Sequence, residues 1–375
     1  MKNIIIFYAT YGGGHLSAAK SIKEYIDENY GTEYKTYLID CIDYINHAIN
    51  KLTTKAYADA AKKAPKLWGK VYSHSEHGPL ASISNNSNKL MAHKLNKLIT
   101  EINPSIIISA HPFSSQMCAY LKKKNKISVP VSTIMTDFAP HDQWLVLHEY
   151  INNYFVSNEN MKDSLIEKGI NSNKIFVTGI PLSSRFLKKY NKEEIINMFN
   201  LSNNKKTILF FAGGQFGLGK KSTYQMLEIL AKNYIDIQII AISGKNKKMT
   251  EKFEEIVQEY NREKDIIVLE FTDKVPELMS ISDLVITKPG GLTTTESLAS
   301  ELPIIVINPI PGQEEQNAEF LEKNGLAVWI KDNDNIEEIF NSLFNHPEKL
   351  EQMRNQTKLF AKKHSTKDIC EIILK

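Results

Sequence analysis

Cysteine is scarce in this chain of 375 residues: Cys41, Cys118 and Cys370 stand far apart, with no paired spacing for a zinc site or a disulfide framework. A reducing compartment is the corresponding default. Also missing is any run of about 18 apolar residues able to span a bilayer, so the expectation is a protein that is not integral to a membrane. The opening MKNIIIFYATYGGGH holds one lysine and a short apolar run but no small-residue cleavage site, and it reads as a first strand. Zinc-finger spacings and aromatic RNA-binding signatures are absent, and nucleic acid is not an expected partner.

Hydrophobic residues at 42% and charged residues at 24% are values for a globular protein, and the length suits two domains that each bury a core. The net charge of +3 hides an asymmetry: residues 1–190 carry 23 basic against 15 acidic side chains, and residues 191–375 carry 23 against 28. A basic half suits an anionic surface, and without nucleic-acid motifs a membrane is the better candidate partner. The excess is densest in residues 51–97, where nine lysines face only Asp59 and Glu76 and are interleaved with Tyr57, Trp68 and Tyr72. Lysine heads beside aromatic anchors suit an interfacial surface, while a solvated helical pair is the competing reading.

Residues 3–9 read as a buried parallel strand, followed by a glycine turn, a helical pattern through Ala18, Ala19 and Ile22, and a second strand ending at Asp40. Gly12-x-Gly14-x-x-Ser17 with Asp40 approaches the dinucleotide fingerprint, but serine replaces its third glycine, which weakens the case for NAD. Further buried strands end at His111 and at Asp137, so both residues belong at the carboxyl edge of a parallel sheet with His15, where ligands bind. Asp137 is a candidate to orient or polarise a neighbouring histidine, with a strand-end cap as the competing reading. The polar stretch 187–206 marks a boundary near residue 190, after which strand, glycine turn and helix begin again. In that second turn Gly214 to Lys220 has P-loop spacing, but Lys221 stands where a magnesium-binding hydroxyl belongs, so ATP hydrolysis is a poor reading. Amides of Gly213 and Gly214 that approach a diphosphate remain a good one.

The stretch 282–327 concentrates the chemistry. A short strand, Leu284–Thr287, stops at Lys288-Pro289-Gly290-Gly291, and Thr293, Thr294, Thr295 and Glu296 then open a helical pattern. Free amides and hydroxyls at a helix start suit a phosphate. A second strand ends at Pro311-Gly312, where Gln313, Glu314 and Asn317 form a polar cluster suited to a polyhydroxylated ligand. An ordinary turn and a solvated helix start are the alternatives for each half.

Together these residues closely resemble the nucleotide-sugar site of the family 28 glycosyltransferases, in particular the monogalactosyl- and glucosyl-diacylglycerol synthases. The match runs in order through Gly12-Gly13-Gly14-His15 with Ala18-Ala19, then Thr136-Asp137-Phe138 with His141 and Trp144, then Thr178-Gly179-Ile180-Pro181. It ends with Thr287-Lys288-Pro289-Gly290-Gly291, Glu296, Pro311-Gly312-Gln313-Glu314 and Asn317. The resemblance implies a GT-B architecture: two doubly wound α/β domains facing across a cleft. Residues 1–190 would form an acceptor domain joined by a C-terminal helix at 354–375, and residues 191–353 a donor domain.

It also implies roles. His15 is the general base on the acceptor hydroxyl, its imidazole kept neutral by the helix N-terminus. Phe271, Thr272 and Val275 lie against uracil, Glu296 accepts both ribose hydroxyls, and Gln313 and Glu314 bind the hexose. The resemblance puts His141 and Trp144 on the acceptor side; His111, from its strand end, and Trp68, from the lysine-rich segment where no family residue carries over, are expected on the acceptor or membrane side as well. The implied reaction is inverting transfer of a hexose, glucose ahead of galactose, from a UDP-sugar to 1,2-diacylglycerol, at the cytoplasmic face of the membrane. No DxD-like cluster stands where a donor needs it, so neither a metal nor a cofactor is expected. The alternatives are a galactosyl transfer, an N-acetylglucosamine transfer to lipid-linked muramyl-pentapeptide, and a UDP-sugar sensor without turnover.

Overall fold

The computed structural model describes residues 1–10, 13–45, 79–212 and 220–375, with the backbone alone at 79–90 and 220. The chain forms two compact units. One comprises Met1–Ser184, Pro311–Gln313 and Lys362–Lys375; the other comprises Arg185–Ile310 and Glu314–Ala361. The change of unit falls at Ser184, because the Arg185 guanidinium donates to the Asp273 carbonyl at 2.7 Å and pairs with Glu277 at 3.3 Å.

In the first unit six parallel strands stand in the order β2-β1-β3-β4-β5-β6: β1 (Lys2–Tyr8), β2 (Tyr34–Asp40), β3 (Ile106–Ser109), β4 (Val131–Ile134), β5 (Asn153–Val156) and β6 (Ile175–Val177). Runs such as Ile4-Ile5-Ile6-Phe7 are continuous because both faces are covered. Ile5, Phe7, Ile107, Val131 and Tyr154 pack into one core layer; Ile4, Ile6, Ile108, Ile134 and Phe155 pack into the opposite one. The second layer includes Ile369 and Cys370 from the helix Ser365–Leu374, which packs along the helix Gly14–Tyr30.

The second unit repeats the plan, in the order β12-β11-β10-β7-β8-β9, with β7 (Lys206–Phe211), β8 (Ile237–Ile242), β9 (Ile266–Leu269), β10 (Leu284–Thr287), β11 (Ile304–Val306) and β12 (Ala327–Trp329). Its two layers are built on Ile208, Phe210, Ile239 and Ile286 on one face and Leu209, Ile240 and Val285 on the other. In each sheet the winding reverses beside the first strand, between β1 and β3 and between β7 and β10. A doubly wound sheet opens a ligand crevice there.

The C-terminal segment departs from the single helix expected over 354–375. It holds two helices, Pro347–Phe360 and Ser365–Leu374, with Ala361 extended between them. Only residues from Lys362 onward join the first unit. Gly179, at φ +90°, lets this segment lie close: a Cβ there would overlap the Lys362 Cβ and press on that of Ser365. Thr366 completes the joint, its hydroxyl accepting from the Leu182 amide at 2.8 Å and donating to the Leu182 carbonyl at 2.7 Å. Among the described residues no helix is long and apolar enough to cross a membrane.

Candidate active site

At the β1/β3 reversal the helix Gly14–Tyr30 begins directly after the glycine turn, with Gly13 as its cap, and its second residue is His15. The His15 Nδ1 lies 2.8 Å from the carbonyl oxygen of Ala110, just past β3, and 3.0 Å from Thr136 Oγ1, just past β4. A carbonyl only accepts, so Nδ1 carries the proton and Nε2 keeps the lone pair. Burial pushes the His15 pKa down to about 4, against the opposing effect of the Ala110 hydrogen bond. Desolvation therefore keeps the ring neutral, where the sequence pointed to the helix N-terminus.

Two more histidines stand with it. His111 caps the helix Pro112–Lys123, its Nδ1 accepting from the Phe113 amide at 3.2 Å, and its ring meets His15 edge-on at 4.6 Å between centroids. His141 caps the turn Asp142–Trp144 by accepting from the Gln143 amide at 3.1 Å. Burial, then the neighbouring His15 and His141, hold His111 well below its usual pKa. Burial pushes His141 to about 4, with Asp142 opposing. All three rings are thus neutral at physiological pH. Among the described residues no group of three or more His, Cys, Asp or Glu is arranged to hold a metal ion.

Asp137 is buried just past β4, its backbone carbonyl accepting from Ser157 Oγ at 2.7 Å. The expectation for Trp144 is corrected. Only 2% of it is exposed, and it packs in the core with Tyr154 and Ile151, so it is not available to a lipid. The resemblance alone put it on the acceptor side, whereas the tight turn Asp142–Trp144 carries its indole inward. Trp68, like most of the lysine-rich 51–97 segment, lies outside the described residues, as do Gly12, Gly213 and Gly214. The Asp40 carboxylate contacts Thr10 and accepts from the amides of Ile42 and Asp43, both at 3.0 Å.

In the second unit β10 delivers Lys288-Pro289-Gly290-Gly291 to the reversal beside β7. Here the structure moves the helix start. The helix is Gly291–Ala299, capped by Gly290, so the amides without an intrahelical acceptor are those of Gly291, Leu292 and Thr293. Thr294 already donates its amide to Gly290 at 3.0 Å, and the Thr295 hydroxyl donates to the Gly291 carbonyl at 2.8 Å. Thr295 is therefore spent within the helix, and the buried Thr294 hydroxyl has no hydrogen-bond partner among the described residues. The Glu296 carboxylate makes no hydrogen bond among the described residues, and burial pushes its pKa up to about 8.

The turn is fixed from the helix Gln313–Lys323, which Gln313 and Glu314 open. Fully buried Asn317 donates from Nδ2 to the Pro289 carbonyl at 3.0 Å. Glu314 Oε2 accepts from the Ile310 amide at 2.6 Å. Burial raises the Glu314 pKa against the pull of Lys288 and the Ile310 amide, and burial lowers that of Lys288 against the pull of Glu314. At the end of β9 Phe271 stands 69% exposed, with Lys245 Nζ 5.3 Å from its ring centroid. The next turn is held by Thr272 Oγ1, which accepts from the Lys274 amide at 3.1 Å ahead of the helix Val275–Ile281.

Two family models match the chain. Residues 15–182 match monogalactosyldiacylglycerol synthase, and residues 208–371 match the glycosyltransferase family 28 C-terminal domain. A relative in Bacillus pumilus named processive diacylglycerol beta-glucosyltransferase is 31% identical over 100% of this chain and 94% of its own. The chain belongs to glycosyltransferase family 28, in its diacylglycerol branch. A Bacillus subtilis member of the same name is 30% identical over 100% of this chain and 95% of its own. Among solved structures MurG of Acinetobacter baumannii superposes with a TM-score of 0.66 at 14% identity, covering 100% of this chain and 99% of its own. The UDP-GlcNAc 2-epimerase of Neisseria meningitidis reaches 0.65 at 18% identity, covering 100% of both chains. The fold is GT-B.

Against that family pattern, the sequence reading missed two contacts. The Ala110 carbonyl has no side-chain signature, and Thr136 passed as part of a motif without a role of its own. Lys245 above Phe271 was also unforeseen, since a lysine after a buried strand reads only as a strand end.

Proposed function

We propose that this protein transfers a hexose, glucose ahead of galactose, from a UDP-hexose to the free hydroxyl of 1,2-diacylglycerol, with inversion at the anomeric carbon. The full-length relationship to proteins named processive diacylglycerol beta-glucosyltransferase supports this reading. The observation that carries the chemistry is the 2.8 Å contact of His15 Nδ1 with the Ala110 carbonyl, which leaves the lone pair on Nε2. Its Nε2 takes the proton of the acceptor hydroxyl, and the oxygen lone pair forms the bond to the anomeric carbon. The bond from that carbon to the diphosphate breaks, and its electron pair leaves with UDP.

On the donor side, the amides of Gly291, Leu292 and Thr293 and the ammonium of Lys288 meet the leaving diphosphate. In its ionised form Glu296 accepts the two ribose hydroxyls, an acceptor-only group opposite two adjacent donors. Phe271 offers an exposed aromatic face to uracil, and Gln313 and Glu314 take hexose hydroxyls. Asn317 serves them by holding the Lys288–Gly291 turn. His111, His141 and Asp137 belong to the acceptor side.

The acceptor is a membrane lipid, and the basic excess of residues 1–190 supports peripheral binding to an anionic cytoplasmic leaflet. Catalysis runs without a bound metal or cofactor in this reading. Co-sedimentation with anionic liposomes at low and high salt tests the membrane part; failure to bind at low salt removes it. Parallel incubation with UDP-glucose and UDP-galactose, followed by analysis of the lipids, tests the reaction and the sugar.

A further inference from the structure

We infer that Thr136 is a positioning residue for the base: the second acceptor that holds His15 in its Nδ1–H form and shares the charge when Nε2 takes a proton. The inference rests on the reading of His15 as the base.

Three adjacent strands meet at this ring. His15 follows β1, the Ala110 carbonyl follows β3 and the Thr136 hydroxyl follows β4. At 2.8 Å the carbonyl obliges Nδ1 to carry hydrogen, and the hydroxyl at 3.0 Å then meets an N–H and accepts from it. A ring held by one acceptor can still swing about that bond. Two acceptors on different strands define its plane and so the direction of the Nε2 lone pair.

The second acceptor matters more because the surroundings oppose a cation. Burial itself lowers the His15 pKa, and His111, edge-on at 4.6 Å, is a neutral ring that supplies no negative charge. Asp137 follows Thr136 in the chain. When the acceptor proton reaches Nε2, the Nδ1–H becomes a stronger donor, and the two oxygens it meets stabilise the charge.

The test compares Thr136→Val, which keeps the shape and removes the acceptor, with Thr136→Ser, which keeps the hydroxyl. The expected result for valine is a kcat lower by about three- to tenfold, an unchanged KM for UDP-glucose, and an acid limb moved to lower pH. Serine should restore all three. In parallel, 15N NMR of histidine-labelled protein, with His15 assigned by loss of its signal in His15→Gln, should show the Nδ1–H form in wild type and a weakened preference in Thr136→Val. Wild-type kcat in Thr136→Val, or a His15 spectrum unaltered by it, overturns the inference. If wild type forms no glycolipid at all, the functional reading falls, while the NMR comparison still decides whether Thr136 sets the tautomer.

Discussion

The carbonyl oxygen of Ala110 lies 2.8 Å from Nδ1 of His15 and fixes which nitrogen of that ring holds a lone pair. A backbone carbonyl is an orienter that cannot be protonated. It therefore holds the tautomer over the whole range in which the ring stays neutral.

That range extends well into acid. Burial lowers the His15 pKa to about 4, so kcat should stay level through pH 6.5 and lose activity only as pH approaches that value. A kcat profile for glycolipid formation measures this, and an acid limb centred near 6.5 contradicts it. The same shift bears on stability. A histidine depressed in the folded state contributes fully above its unfolded pKa near 6.5, and the contribution is lost as pH falls toward 4. His141, also pushed to about 4, adds to that loss, so His141→Gln should flatten the acid decline of the unfolding midpoint.

Glu296 predicts the opposite limb. Burial raises its carboxyl to about 8, whereas ribose hydroxyls are best accepted by the ionised form. UDP-glucose affinity should therefore fall by roughly tenfold per pH unit below 8 and level off above it. Glu296→Gln should bind about ten- to a hundredfold more weakly at pH 8.5 and lose the pH dependence. Titration calorimetry across this range decides it, and a flat wild-type profile contradicts the assignment.

Asn317 and Pro289 form the joint of the donor turn. Asn317→Ala leaves the Pro289 carbonyl without that donor, at a cost of about 1–3 kcal/mol. The thermal midpoint should drop and the KM for UDP-glucose should rise, with kcat changed less. An unchanged KM would mean that the turn holds its shape without Asn317.

Gly179 tests the C-terminal joint. Its φ of +90° and its closeness to Lys362 make Gly179→Ala strained and overlapping, with an expected loss of at least about 1–2 kcal/mol. Limited proteolysis should then release the segment from Lys362 onward sooner than in wild type. Equal rates in the two proteins would remove the glycine from the account.

Much of this was legible in the sequence because parallel strands buried on both faces announce themselves as apolar runs. Their carboxyl ends then placed His15, His111 and Asp137 at one edge and Lys288 at another. What escaped had no side-chain pattern. The Ala110 carbonyl is backbone, and the break after Phe360 contains neither glycine nor proline. Gly290-Gly291 read as a turn, although Gly291 is already helical. Trp144 misled because its place in a family spacing does not tell whether the ring faces lipid or core.

The central claim is tested most directly by incubating purified wild type and His15→Ala with diacylglycerol liposomes and UDP-glucose or UDP-galactose, then weighing the lipids by mass spectrometry. The account predicts hexosyl-diacylglycerol from wild type, with UDP-glucose the better donor, and a loss of at least about a hundredfold in His15→Ala. No hexosylated lipid from wild type with either donor, or full activity in His15→Ala, would contradict it.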